Sequence, residues 1–392
     1  MDTAPSSGWR WGKILGWLGV LAVLAALLLA QARVRSVVAD ARGLEQSRAD
    51  PRLLALSRGT LQILAPVVAL PERTLGPIRT VQVCSAGQFG AALIREDELG
   101  GEWLGATIRY GELVAALDAA VVQRADWIEL RRPARVLGVA QQAAGVRVAL
   151  DEGGVIEAAI AVHAEGLAGA PGAVPPPSQV ALIGEVQVEG VPAGRAVERF
   201  TREGPLALLP LPGEGGPGSR WMSLVWCMPA AAAPARQAAD DEQLARELQA
   251  ALGPRIARVR ALRGRAAFPL HETARAALVE GRSVYLGNAA QTLHPVAGQG
   301  FNLAVRDARE LALRIAQAVV AGADPQTALA KYATARRADR AALLALTRTM
   351  PGFFASRQWP LPLARGLGLA ALTALPPARA ALARLLMFGV RI

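Results

Sequence analysis

Residues 286–303 read Leu-Gly-Asn-Ala-Ala-Gln-Thr-Leu-His-Pro-Val-Ala-Gly-Gln-Gly-Phe-Asn-Leu, and the chemistry most legible in this chain lies there. The run follows Ser283 to Leu286, an apolar stretch with the composition of a buried strand. It precedes Ala304 to Leu313, where apolar residues recur with helical spacing. Between the two stand Pro295, Gly298 and Gly300. A strand, a glycine-bearing turn and a helix start form a cradle for an anionic or electron-rich group. The first N–H groups of a helix have no partner inside it, and the positive end of the helix dipole faces the same way. Asn288 adds a neutral amide that both donates and accepts. His294 reads as a neutral, packed imidazole before it reads as a general base.

Such a loop needs a fold that presents it. Dinucleotide folds open on a strand, a turn with G-x-G-x-x-G and a helix, because the glycines let backbone approach a pyrophosphate. The best alignment here is Ile14-Leu15-Gly16-Trp17-Leu18-Gly19, which keeps Gly16 and Gly19 and has Ile14 in place of the first glycine. A helix from Gly16 to Leu29 and a strand from Val34 to Ala39 follow. That spacing puts Asp40 at the strand end, where a carboxylate accepts from a ribose hydroxyl. Arg52 and Arg109 each stand before an apolar run; a guanidinium fork suits pyrophosphate.

Composition bounds the rest. A chain of 392 residues has the length of two domains, and 52% hydrophobic content excludes disorder. The formal net charge is +11 and the only lysines are Lys13 and Lys331, so the basic character is arginine. Its natural partners are an anionic membrane surface or dinucleotide phosphates. No basic cluster interleaved with aromatics supports nucleic acid. Cys84 and Cys227 are isolated, as in a reducing compartment, and no spacing of His or Cys suits a metal.

Several stretches together resemble the ubiquinone-biosynthesis hydroxylases, FAD-dependent aromatic monooxygenases of the para-hydroxybenzoate hydroxylase fold. They are the 286–303 run with its Gly287-Asn288, the strand end Val38 to Arg42, DPRLLALS at 50–57 and IRYGELVAALDAA at 108–120. To these add Glu198 to Leu211 and the tail Ala364 to Gly389. The branch is 2-polyprenyl-6-methoxyphenol hydroxylase-like. The likeness implies an α/β fold: a Rossmann-like FAD-binding domain with an inserted β-sheet substrate domain and a C-terminal helical region. It implies FAD held by Gly16, Gly19, Asp40, Arg52, Arg109, Gly287, Asn288, Pro295, Gly298, Gln299, Gly300 and Asn302, with no catalytic acid or base singled out. It implies O2-dependent hydroxylation of a polyprenylated phenol, at a membrane surface or within a quinone-biosynthesis complex, in a cytoplasmic protein peripheral on the inner membrane. NAD(P)H is a candidate electron donor. The motif associated with it and with FAD reads Val162-His163-Ala164-Glu165-Gly166 here, with Glu165 where relatives carry Asp. The altered fingerprint keeps a second reading open, a non-catalytic subunit of such a complex.

The expected domain boundaries are 1–72, 96–176 and 269–340 for the three parts of the FAD-binding domain. Residues 73–95 would supply strands to the substrate sheet, 177–268 form the substrate domain, and 341–392 form the helical region. From Pro325 onward the pattern is helical, with breaks expected at Pro351, Pro360, Pro362 and Pro376-Pro377. Residues 14–30 are uncharged, and three readings stay open for them: a buried Rossmann helix, a membrane anchor, or a signal segment cleaved after Ala32.

Overall fold

The computed structural model describes residues 19–390 apart from 88–89, 152, 167–176, 214–217 and 357. Ile14 and Gly16 lie outside the described residues. Two short parallel pairs carry the strand ends named above. Ser36–Ala39 runs beside Ile128–Arg131, and Ala161–His163 beside Ser283–Tyr285. Val279–Glu280 adds an antiparallel edge to the second pair.

The helix Val20–Gln31 packs against the first of these pairs and against helices Tyr110–Val122 and Gln299–Val320. Leu21, Leu24 and Leu27 are fully buried, so its all-round apolar character is that of a core helix between other elements. No single helix among the described residues is long and apolar enough to cross a membrane.

A second sheet has seven strands in the order Arg258–Leu270, Gln179–Glu189, Arg220–Pro229, Pro205–Pro210, Arg195–Phe200, Thr80–Ser85 and Ala91–Arg95. Residues 266–270 close its long edge strand, held along Gln179–Ile183 by ladder hydrogen bonds, so the strand runs one to two residues past the expected boundary at 268. Helix Asp241–Leu252 covers one face. Asp240 caps it by accepting from the Gln243 amide at 2.7 Å, and Leu244, Leu248 and Leu252 recur every four residues, all fully buried. They pack on Trp226, Met228 and Leu262.

A three-stranded sheet of Leu53–Ser57, Gly105–Arg109 and Leu75–Ile78 lies between the two units. The text DPRLLALSRGTLQIL at 50–64 suggests a loop running into a helix; the structure has a strand at Leu53–Ser57 before the helix Arg58–Leu64. Burial alternates from Leu53 to Leu56, with Leu54 and Leu56 buried, but the text Leu-Leu-Ala-Leu is apolar at every position and hides the alternation.

The C-terminal helices are Gln326–Ala355, Leu361–Ala374 and Pro376–Phe388. The first runs through Pro351 for a further turn, so that proline breaks nothing. Proline removes only one intrahelical N–H, and one turn from the end that loss is small.

Candidate functional site

Every motif residue after a parallel strand sits at its carboxyl end, where open α/β sheets bind ligands. Two of those ends meet the start of helix Val20–Gln31. Its N-cap, Gly19, has φ 89° and no side-chain cap, so the first-turn N–H groups lack an internal acceptor. A Cβ at Gly19 would lie 2.1 Å from Asp40 Oδ2, which puts the carboxylate directly on this turn. On the other side Gly287, at φ 55°, is pressed against Leu21: a Cβ there would lie 2.3 Å from Leu21 Cδ1.

Asp40 is buried. Its Oδ1 accepts from the Arg42 amide at 3.1 Å. Its Oδ2 faces Arg132 Nη2 at 3.1 Å but accepts no aligned hydrogen bond. Arg132 in turn donates to Asp118 at 2.9 Å. Sequence reasoning missed Arg132. Its signal was its place directly after Ile128–Arg131, the strand that registers with the Asp40 strand.

Arg52 and Arg109 have partners within the protein. Arg52 grips Asp50 at 2.8 and 2.5 Å and lies 5.0 Å from the Tyr110 ring centre. Arg42 approaches the same tyrosine and donates to its hydroxyl at 2.9 Å. Burial pushes the Tyr110 phenol up, and Arg42 acts against that. Arg109 reaches across to Glu185 of the seven-stranded sheet at 2.8 Å, where Arg263 also binds at 2.6 Å. Burial raises the Glu185 carboxyl, but the two arginines outweigh it and hold it below its ordinary value. Arg109 thus ties the two sheets together.

The loop expected to meet the flavin is built as strand, turn and helix. Gly298 adopts φ 59°, ψ 30° as N-cap of helix Gln299–Val320, again with no side-chain cap. A Cβ at Gly300 would meet no protein atom within 4 Å. Pro295 and Asn288 are half-buried and Gln299 is buried. This open, uncapped helix start fits the edge of a flavin ring, whose reduced form carries negative charge there.

Asn302 differs from expectation. Its Oδ1 accepts from the Ser57 amide at 2.8 Å and Thr60 Oγ1 at 2.7 Å. Its Nδ2 donates to the carbonyls of Ala55 at 3.0 Å and Gly298 at 2.9 Å. Both side-chain groups are bonded within the protein, so this amide positions the turn. Glu165, the Asp substitute, bonds His163 at 3.2 Å; burial raises its carboxyl, and His163, a backbone hydrogen bond and Arg275 together hold it below its ordinary value.

His294 is the packed imidazole. Its Nε2 donates to Gln179 Oε1 at 2.7 Å, and its Nδ1 accepts from the Val296 amide at 3.4 Å. Burial holds it down to about 4, against the ordinary 6.5. An unfolded chain takes up the proton between those values and the folded one does not. Stability is therefore full above pH 6.5 and declines as pH falls toward 4, by about 3 kcal/mol for this group. Urea melts across that window should lose this increment in the wild type but not in His294→Gln. Parallel profiles for the two proteins would contradict it.

Among known proteins, the FAD binding domain family matches residues 120–347. The chain is 33% identical over 257 residues to ubiquinone hydroxylase UbiL of Rhodospirillum rubrum, covering 63% of this chain and 58% of that one. It is 35% identical over 130 residues to 3-demethoxyubiquinol 3-hydroxylase of Escherichia coli, covering 33% of this chain and 32% of that one. The matched segments thus span less than two thirds of either relative. In structure it resembles PqsL of P. aeruginosa, solved in complex with 2-aminobenzoylacetate. The TM-score is 0.70 at 20% identity, covering 90% of this chain and 97% of that one.

Proposed function

The chain belongs to the FAD binding domain family, and on that premise we propose that it is a flavin-dependent aromatic hydroxylase acting on a polyprenylated phenol of ubiquinone biosynthesis. The observation that carries this reading is the turn at Gly298–Gly300: an uncapped helix start beside a position where a side chain would meet only open space. FAD supplies the redox chemistry when bound, taking electrons from a donor such as NAD(P)H and activating O2. The protein's part is to bind, orient and exclude water. Gly19 and Asp40 would hold the pyrophosphate and ribose end, with Arg132 keeping the carboxylate in place. Asn302 fixes the turn against Ala55 and Ser57. His294 stays neutral and links the loop to Gln179 at the root of the seven-stranded sheet, on whose side the phenol would sit.

The names of the ubiquinone-pathway relatives support the substrate class. A substrate with a long isoprenoid tail brings the protein to a membrane surface, as a peripheral protein or as part of a quinone-biosynthesis complex. The alternative, a non-catalytic subunit of that complex, is favoured by one feature, Ile14 at the first fingerprint glycine.

One experiment separates them. The purified chain is denatured and the supernatant assayed for FAD, and the native protein is then offered a polyprenylated phenol with NAD(P)H and O2. The hydroxylase reading expects stoichiometric FAD and a product heavier by one oxygen atom. A colourless protein that takes up no added FAD sinks it and leaves the subunit reading.

A further inference from the structure

Helix Leu361–Ala374 reverses the usual polarity of a surface helix. Its one charged side chain, Arg365, is buried and donates to the backbone carbonyls of Phe354 and Ser356. Its inner face, through Gly366 and Leu369, packs on Gly90 beside the edge strand Ala91–Arg95, and Thr373 donates to the Ala91 carbonyl. Its outer face presents Leu363, Leu367 and Ala371, one turn apart and all exposed. Leu375 extends that stripe at one end, and Trp359, 84% exposed, stands at the other. From Trp359 to Ala378 the only polar side chains are Arg365 and Thr373, and both bond to backbone carbonyls.

We propose that this face docks the protein on an anionic lipid bilayer, lying in the plane of the interface. The helix is followed by Pro376–Phe388 at a bend of 99°, so neither arm has a spanning length. An exposed tryptophan at a helix start suits the headgroup level. Two helices packed on this one, Gln326–Ala355 and Pro376–Phe388, each carry an exposed arginine, Arg348 and Arg384. Together with a net charge of +11 they complement anionic headgroups. The same charge opposes a second copy of the chain on this face. Docking here deepens the membrane part of the function proposed above. Its test needs no turnover, so the lipid contact and the hydroxylase chemistry can fail separately.

The full chain is floated on a density gradient with phosphatidylcholine vesicles, with or without about 30% phosphatidylglycerol. Wild type should rise with the anionic vesicles and much less with the neutral ones. The double variant Leu363→Glu with Leu367→Glu alters exposed positions only. It should keep the wild-type melting temperature and FAD content and lose about tenfold or more of its vesicle binding. Arg384→Glu should weaken binding to anionic vesicles selectively. The proposal is overturned if wild type ignores both vesicle types or if the double variant floats as well as wild type. It is equally overturned if the double variant changes only a dimer seen by size exclusion, which would assign the face to a second copy.

Discussion

A Gly300→Val variant should fold with an unchanged melting temperature in its flavin-free form and purify without flavin. A Cβ at this position meets no protein atom within 4 Å, so the fold has no reason to resist a branched side chain. If a flavin edge lies against the turn, the two methyls invade it. Overpacking of this kind costs about 1–3 kcal/mol, which raises the dissociation constant roughly 5- to 150-fold. Gly287→Ala in the same loop should fail the other way. Its Cβ would lie 2.3 Å from Leu21 Cδ1 at φ 55°, so the fold itself is strained and the melting temperature falls whether or not FAD is present. Leu21→Ala added to it should restore part of the loss. Full flavin content in Gly300→Val would mean that this glycine serves only the turn.

The contrast between these glycines was beyond the sequence. Both lie in one motif, and only the neighbours, Leu21 in one case and open space in the other, distinguish them. What the sequence does carry is local: the strand, turn and helix of 283–313, the Asp40 strand end, and the recurring leucines of Asp241–Leu252. Partners remote in sequence are invisible to it. Asn302 reads as one more amide beside the flavin turn, yet it binds residues 55, 57 and 60 across some 240 positions. Arg109 reads as a phosphate ligand, yet it reaches Glu185 on the other sheet. Arg132 carries no motif at all; it matters because a parallel register sets its strand beside that of Asp40. The run at 20–31 is apolar all round whether it is buried or spans a bilayer, and only its neighbours identify it as a core helix.

Asp339→Ala should destabilise the protein by about 3–5 kcal/mol, because it leaves the buried Arg306 without its carboxylate and takes one of two carboxylates from the buried Arg336. Asp339 accepts from Arg306 Nε at 3.0 Å, from Arg336, and from the Val390 amide at 3.2 Å. Arg336 also donates to Asp307 at 2.5 Å, Asp307 accepts from Gln291 at 3.2 Å, and Gln291 accepts from Arg340 at 2.7 Å. One chain of ion pairs and hydrogen bonds therefore runs from Gln291 in the 286–303 loop, through the helices Gln299–Val320 and Gln326–Ala355, to the Val390 amide. Burial pushes the Asp339 carboxyl up, but Arg306 and Arg336 outweigh it and hold it below its ordinary 3.8. Its contribution is thus full above that value and is lost as pH falls from there through the lower folded-state value. Urea melts at neutral pH measure the loss in Asp339→Ala. A buried ion network gains little over a well-packed apolar one, whereas half a network is costly. Converting Arg306, Arg336, Asp307 and Asp339 together to Met, Met, Leu and Leu should therefore cost less than Asp339→Ala alone. If the quadruple variant is the less stable of the two, the charges contribute net stability here and the network is more than a means of holding the loop in register.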